Sequence, residues 1–309
     1  MELSPNNTVQ ITPTGIFDLV GNTPMVTISI FADEYPAARV AAKAEYLNPG
    51  GSLKDRPVAR MLLKALEQGK LQDGKVILDS TSGNAGIAYA IYGRAVGRQV
   101  ELVIPGNASK ERLMRIKAHG AKVILTDPLE GYDEALREVR RRFEEATDKY
   151  YFADQYGNED NWLAHYETTG EEIVTQSPDL THFVGGIGTG GSVTGISRRL
   201  KEHDRNIRVV VVKPERFPGI EGLKPLGEVG DVVPEILDET FIDEYLEISS
   251  EAARLMCHRL AKAGFFVGQS SGAYMAAVGQ ILRKDANASV VTLLNDTGER
   301  YISTSLWQD

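Results

Sequence analysis

The run Val76-Ile77-Leu78-Asp79-Ser80-Thr81-Ser82-Gly83-Asn84-Ala85-Gly86-Ile87, followed further on by Val100-Glu101-Leu102-Val103-Ile104-Pro105, decides the architecture of this chain. A short apolar run bounded by turn residues reads as a strand buried on both faces, and the 86–96 stretch between the two runs has helical periodicity. Strand, glycine turn, helix and second strand make a βαβ unit, whose strands must lie parallel. The alternation continues outward. Strands are predicted at 40–44, 76–79, 100–105 and 121–126, with helices at 58–68, 86–96, 110–119 and 132–146. A second series has strands at 181–184, 207–212, 244–248 and 290–294, with helices at 159–175, 193–203, 249–262 and 272–283. The expected fold class is α/β: two open, parallel-rich α/β lobes with a crevice between them at the carboxyl ends of the strands. No internal repeat interrupts this order. The longest irregular connection, 217–231, reads as either a lid or a plain surface loop.

With 309 residues, 42% of them hydrophobic and 25% charged, the chain can bury a large core, and two lobes are expected rather than one. Its 34 basic and 43 acidic residues give a formal charge of −9, which disfavours nucleic acid and anionic membranes as partners and favours small molecules. No apolar run approaches the roughly 20 residues of a membrane span, and residues 1–7 lack the features of a signal peptide, so a cytoplasmic location is expected. The single cysteine, Cys257, excludes a disulfide framework and leaves no cysteine cluster for zinc. It lies in a helical pattern, where a buried, inert thiol is expected. The five histidines are scattered, and no metal site is expected.

Three glycine-rich turns stand before helical patterns. In Gly50-Gly51-Ser52-Leu53-Lys54-Asp55-Arg56-Pro57, the glycines permit a tight turn, Ser52 can cap, and Lys54 is expected within the first turn, where the positive helix end lowers an amine pKa. Such an amine is a good nucleophile toward an aldehyde and a good base afterwards. In Gly186-Ile187-Gly188-Thr189-Gly190-Gly191-Ser192, backbone N–H groups can converge on an anion, with Thr189 and Ser192 adding hydroxyls. The turn at 80–86 can hold a carboxylate on its amides and on Thr81 and Ser82. A lysine amine with two anion sites is what holding a phosphorylated aldehyde and an amino acid side by side requires, which points to pyridoxal phosphate. A rival stays open: Gly186, Gly188 and Gly191 also satisfy G-x-G-x-x-G, and Glu215 could sit where a ribose-binding acid belongs, so an NAD(P)-binding oxidoreductase is the alternative of a different class.

The chain resembles the cysteine synthase and cystathionine β-synthase family of fold-type II, tryptophan synthase β-like, pyridoxal-phosphate enzymes. The resemblance runs from Gly21-Asn22-Thr23-Pro24 to Tyr301-Ile302-Ser303-Thr304 and is carried by the three turns above, Gln155-Tyr156-Gly157-Asn158, Thr168-Thr169-Gly170, Gly268-Gln269-Ser270-Ser271-Gly272 and Gly298-Glu299-Arg300-Tyr301. It implies a larger cofactor-phosphate-binding domain of 1–43 plus 156–309 and a smaller mobile substrate-binding domain of 44–155. It also implies that Lys54 carries the Schiff base, that Asn84 bonds the cofactor's 3-hydroxyl, and that Gly188, Thr189, Gly190, Gly191 and Ser192 cradle its phosphate. Ser270 would meet the pyridine nitrogen, and Thr81, Ser82, Asn84, Ala85 and Gln155 would hold the substrate carboxylate. The implied reaction is β-replacement on O-acetylserine or O-phosphoserine through an aminoacrylate, with sulfide as the expected nucleophile giving L-cysteine. Family alternatives use homocysteine or an amino-acid amine instead. Ala85 and Ser192 depart from the threonines many cysteine synthases carry there, and Arg216 or Lys224 could read a phosphate leaving group or second carboxylate. The resemblance also implies a homodimer.

Overall fold

The computed structural model describes residues 15–81, 83–227 and 231–308. In chain order the first elements are β1 (Met25–Thr27), β2 (Arg39–Ala44), α1 (Asp55–Glu67), β3 (Val76–Ser80), α2 (Asn84–Ala95), β4 (Val100–Pro105), α3 (Lys110–Ala118), β5 (Lys122–Thr126), α4 (Gly131–Glu145) and β6 (Tyr150–Phe152). There follow α5 (Glu159–Ala164), a π-helical turn (His165–Gly170), α6 (Glu171–Gln176), β7 (His182–Gly186), α7 (Gly191–His203), β8 (Arg208–Pro214), β9 (Glu244–Ile248), α8 (Ser250–Lys262), α9 (Gln269–Lys284) and β10 (Ser289–Leu294).

The strands form two sheets. The smaller, in the order β5-β4-β3-β6, is wholly parallel. The larger, in the order β1-β2-β10-β7-β8-β9, is parallel except for the short edge strand β1. Every residue of β3, β4 and β10 is buried, as expected of parallel strands covered on both faces. The pleat divides the small sheet cleanly: Ile77, Leu102 and Ile104 pack toward α1 and α2, while Val76, Leu78 and Val103 pack toward α4. A larger core joins the second sheet to its helices through residues such as Phe183, Val210, Met275 and Leu294. Among the described residues no helix is long and apolar enough to cross a membrane.

The expected α/β class is therefore the observed one, with three differences. The three-residue strands β1 and β6 went unpredicted, being shorter than any periodicity can reveal. The predicted 159–175 helix is one continuous helical run over 159–176 whose middle, His165–Gly170, is π-helical. Finally, α1, α2, α7 and α9 each begin two or three residues earlier than apolar periodicity suggests, because Asn84, Gly191 and Gln269 already belong to the first helical turn.

Candidate active site

Loops that leave the carboxyl ends of β3, β4, β6, β7, β8 and β10 surround one cavity of about 950 Å³, which reaches from Lys54 to Glu251 and takes lining residues from both sheets. Open parallel sheets place ligand crevices at such strand ends.

Lys54 stands at the N-cap of α1 on the cavity wall. Asp55, wholly buried, accepts from Gly50 N at 2.5 Å, Ser52 N at 3.0 Å and the Tyr92 hydroxyl at 2.7 Å, which folds the preceding turn back on the helix. Gly51, at φ +76°, takes the left-handed conformation this turn needs. The Lys54 amine titrates at about 8, and the cause is burial, partly opposed by the negative charge of Asp296. The direction is the one the helix start predicts, with desolvation as the largest cause.

Thr81 is buried, and its hydroxyl oxygen accepts from Gly83 N at 3.0 Å and Gly86 N at 3.1 Å, leaving its own proton to donate. Asn84 opens α2, with Ala85 beside it, and Thr81, Asn84 and Ala85 all face the cavity. Ser82 lies outside the described residues. Gln155 reaches the same wall from the loop after β6. Its amide nitrogen donates to Ser80 O at 2.5 Å, and its backbone N–H donates to Asp79 at 3.3 Å.

Of the turn after β7, Gly188, Thr189 and Ser192 line the cavity. Gly190 and Gly191 are close-packed instead: a Cβ on Gly190 would come within 3.0 Å of Leu237, and one on Gly191 within 2.1 Å of Asn161 Oδ1. Asn161 in turn donates to Thr189 Oγ1 at 3.0 Å and Gln155 O at 2.7 Å. The start of α7 thus carries N–H groups that no helical carbonyl can satisfy. Across the cavity, Ser270 accepts from Asn295 Nδ2 at 2.9 Å, so its hydroxyl proton remains available to an acceptor in the cavity. The residues fit a phosphorylated pyridine aldehyde: an amine, a glycine-rich helix-start turn that offers Gly188, Thr189 and Ser192 to the cavity, and a neutral hydroxyl donor share one cavity.

Other predicted features resolve differently. Segment 219–225 walls the cavity rather than forming a plain surface loop; it is held by Glu221 N on Gln269 Oε1 at 3.0 Å and Lys224 N on Ile187 O at 2.7 Å. Lys224 pairs with Asp133 at 3.0 Å and Arg216 with Asp231 at 3.0 Å. Glu215 accepts Ser250 N at 2.5 Å, so it caps α8 rather than awaiting a ribose. Cys257 is buried, and burial pushes its thiol up to about 12. Sequence reasoning missed Arg112, Tyr132, Tyr274 and Asn295, all on the cavity wall. Of these only Asn295 carried a local signal, since it directly follows the last buried strand.

A family profile described as "Pyridoxal-phosphate dependent enzyme" matches residues 16–296. A cysteine synthase of Aquifex aeolicus (strain VF5) is 46% identical over 303 residues, 95% of this chain and 92% of the relative. The crystal structure of a cysteine synthase from Entamoeba histolytica superposes with a TM-score of 0.87 at 32% identity, covering 100% of this chain and 94% of the other. An O-acetylserine dependent cystathionine β-synthase from Helicobacter pylori superposes with a TM-score of 0.85 at 33% identity, covering 95% and 98%.

Proposed function

This chain belongs to the pyridoxal-phosphate dependent enzymes, and from that premise we propose that it replaces the β-substituent of an activated serine, O-acetylserine or O-phosphoserine, with sulfide to give L-cysteine. The observation that carries the reading is the Lys54 amine on the wall of a cavity whose far sides are the Gly188 turn and Ser270. When bound, the cofactor supplies an aldehyde carbon for that amine and a conjugated ring that takes up negative charge from the substrate Cα.

The chain's own residues divide the remaining work. With its amine titrating at about 8, Lys54 is neutral in roughly one molecule in ten at pH 7, against roughly one in three thousand for an ordinary lysine. It is suited first to bind the aldehyde and then to take the proton from the substrate Cα. Gly188, Thr189, Gly190, Gly191 and Ser192 would hold the phosphate, Gly190 and Gly191 by shaping the turn and Thr189 and Ser192 by hydroxyl donation. Ser270, a neutral donor, would hydrogen-bond the ring nitrogen without fixing a full positive charge there. Asn84 would meet the ring's 3-oxygen. Thr81, Ser82, Asn84, Ala85 and Gln155 would grip the substrate carboxylate, with Thr81 donating its free hydroxyl proton.

We further assign 1–43 plus 156–309 to a cofactor-phosphate lobe and 44–155 to a smaller lobe that moves against it, a division supported by the separate small sheet. Segment 219–225 meets the small lobe through side-chain pairs, Arg112–Glu221 at 2.7 Å and Lys224–Asp133 at 3.0 Å, which gives closure over substrate a seam. A homodimer and a cytoplasmic location complete the reading; sedimentation of the holoenzyme tests the first. A second reading, an amino-acid thiol as nucleophile, is favoured by the Helicobacter neighbour and by a cavity reaching well beyond Lys54. Supplying O-acetylserine, O-phosphoserine and serine, each with sulfide and with homocysteine, separates the two. Cysteine formed fastest from an activated serine and sulfide supports the proposal; no thioether or thiol product from any pair rejects it.

A further inference from the structure

We propose that Asp296 and Arg300 are positioning residues that lock the side-chain amide of Asn84 in one orientation, so that its one remaining N–H is the donor offered to the cofactor's 3-oxygen. The inference rests on the role given to Asn84 above. Asn84 Nδ2 lies 2.7 Å from Asp296 Oδ2, and Asn84 Oδ1 accepts from the Arg300 guanidinium. An asparagine amide can turn over with almost no change of shape, and only its partners decide which end is which. A guanidinium can only donate and a carboxylate can only accept, so the reversed amide would set N–H against N–H and oxygen against oxygen. Of the two N–H bonds on Nδ2, one is committed to Asp296. The other is free for the site.

Both partners are buried, Asp296 at 0% and Arg300 at 3% exposure, and each is itself held. The Tyr301 hydroxyl donates to Asp296 Oδ2 at 2.6 Å, and the Asp296 backbone bridges Ser52. Arg300 also donates to Gly50 O, and a Cβ on Gly51 would come within 2.8 Å of the guanidinium. One segment, 296–301, therefore clamps both the turn that presents Lys54 and the loop that presents Asn84. An N–H donor favours the ionised form of a phenolic oxygen, and an amide oxygen in its place would oppose it. Lost orientation should thus weaken the cofactor and shift its visible band toward shorter wavelength.

The test is a double-mutant cycle read by cofactor affinity. Wild type, Asp296→Ala, Asn84→Ala and the double variant are stripped of cofactor, and pyridoxal phosphate is titrated back while tryptophan fluorescence and visible absorbance are followed. Asp296→Ala is expected to weaken binding about tenfold to a hundredfold, the range for a hydrogen bond to a charged group, and by much less when Asn84 is already alanine, where only the direct effect of the Asp296 charge on Lys54 remains. Asp296→Asn, which keeps an acceptor oxygen, should restore most of the affinity. Equal loss in both backgrounds, or no loss in either, overturns the proposal. Should Asp296→Ala not fold, Arg300→Met, which removes the donor to Asn84 Oδ1, is judged by the same criterion. A wild-type protein that binds no pyridoxal phosphate would remove the premise, whereas normal binding without coupling defeats this inference alone.

Discussion

Replacing Arg56 by methionine should cost the protein about 3–5 kcal/mol at neutral pH, because it breaks a buried ion-pair network that fastens α1 to the large sheet. The Arg56 side chain is 1% exposed and reaches Glu45 at 2.7 Å and Glu172 at 2.6 Å, and Lys43 meets the same Glu172 at 2.7 Å. Burial by itself would raise the Glu172 carboxyl, but hydrogen bonding and charge from Arg56, then Lys43, outweigh it and hold the group at about 2 instead of 4.5. That shift corresponds to roughly 3 kcal/mol, in line with the penalty for breaking a buried pair. Its sign is that of a depressed acid: the stabilisation is present above the ordinary carboxylate range and fades as pH falls toward 2. Urea unfolding of wild type and Arg56→Met at several pH values between 7 and 3 is the assay. The gap between the two proteins should be widest at neutral pH and narrow as the medium becomes acidic. A gap below about 1 kcal/mol at pH 7, or one that does not change with pH, would refute the reasoning.

Three shorter predictions test other parts of the account. Burial raises Asp79 to about 7 against opposing hydrogen bonds from Tyr89 and Ser80, so the folded protein holds a proton that the unfolded chain releases; its contribution to stability should fall as pH climbs from about 4 through 7, and Asp79→Asn should flatten that part of the urea-midpoint profile. Gly191→Ala is permitted by the backbone but sets a methyl 2.1 Å from Asn161 Oδ1, so it should destabilise by about 1–3 kcal/mol and lower the cofactor content of the purified protein, measured by absorbance. Cys257, with its thiol pushed up by burial, should resist iodoacetamide at pH 8 in the native state and react only at the rate of unfolding, as mass spectrometry would reveal.

The sheet-and-helix order was legible because parallel strands buried on both faces announce themselves as continuous apolar runs, such as Val100 to Pro105, with glycine turns between. Lys54 and the turn after β7 could be singled out for a related reason: glycines next to a helix start leave few other uses for the residues they carry. What stayed hidden depends on contacts between distant positions. Asp296 favours the charged form of Lys54 from 242 residues away in the chain, and Arg112 meets Glu221 across 109. Glu215 looked like a ribose ligand because its place after β8 suits that task, and only the three-dimensional position of Ser250 shows the carboxylate capping α8. The helices were placed late for a local reason, since Asn84, Gly191 and Gln269 are polar or small and give no apolar signal in the turn they open.

The central claim is that the amine of Lys54 bonds the aldehyde of pyridoxal phosphate. Borohydride reduction of the purified holoenzyme, followed by proteolysis and mass spectrometry, addresses it most directly. The account predicts that the visible band disappears and that the reduced cofactor is found on the peptide containing Lys54, with no such label in Lys54→Ala. Label on another lysine, or none with the cofactor present and the band unchanged, would contradict it.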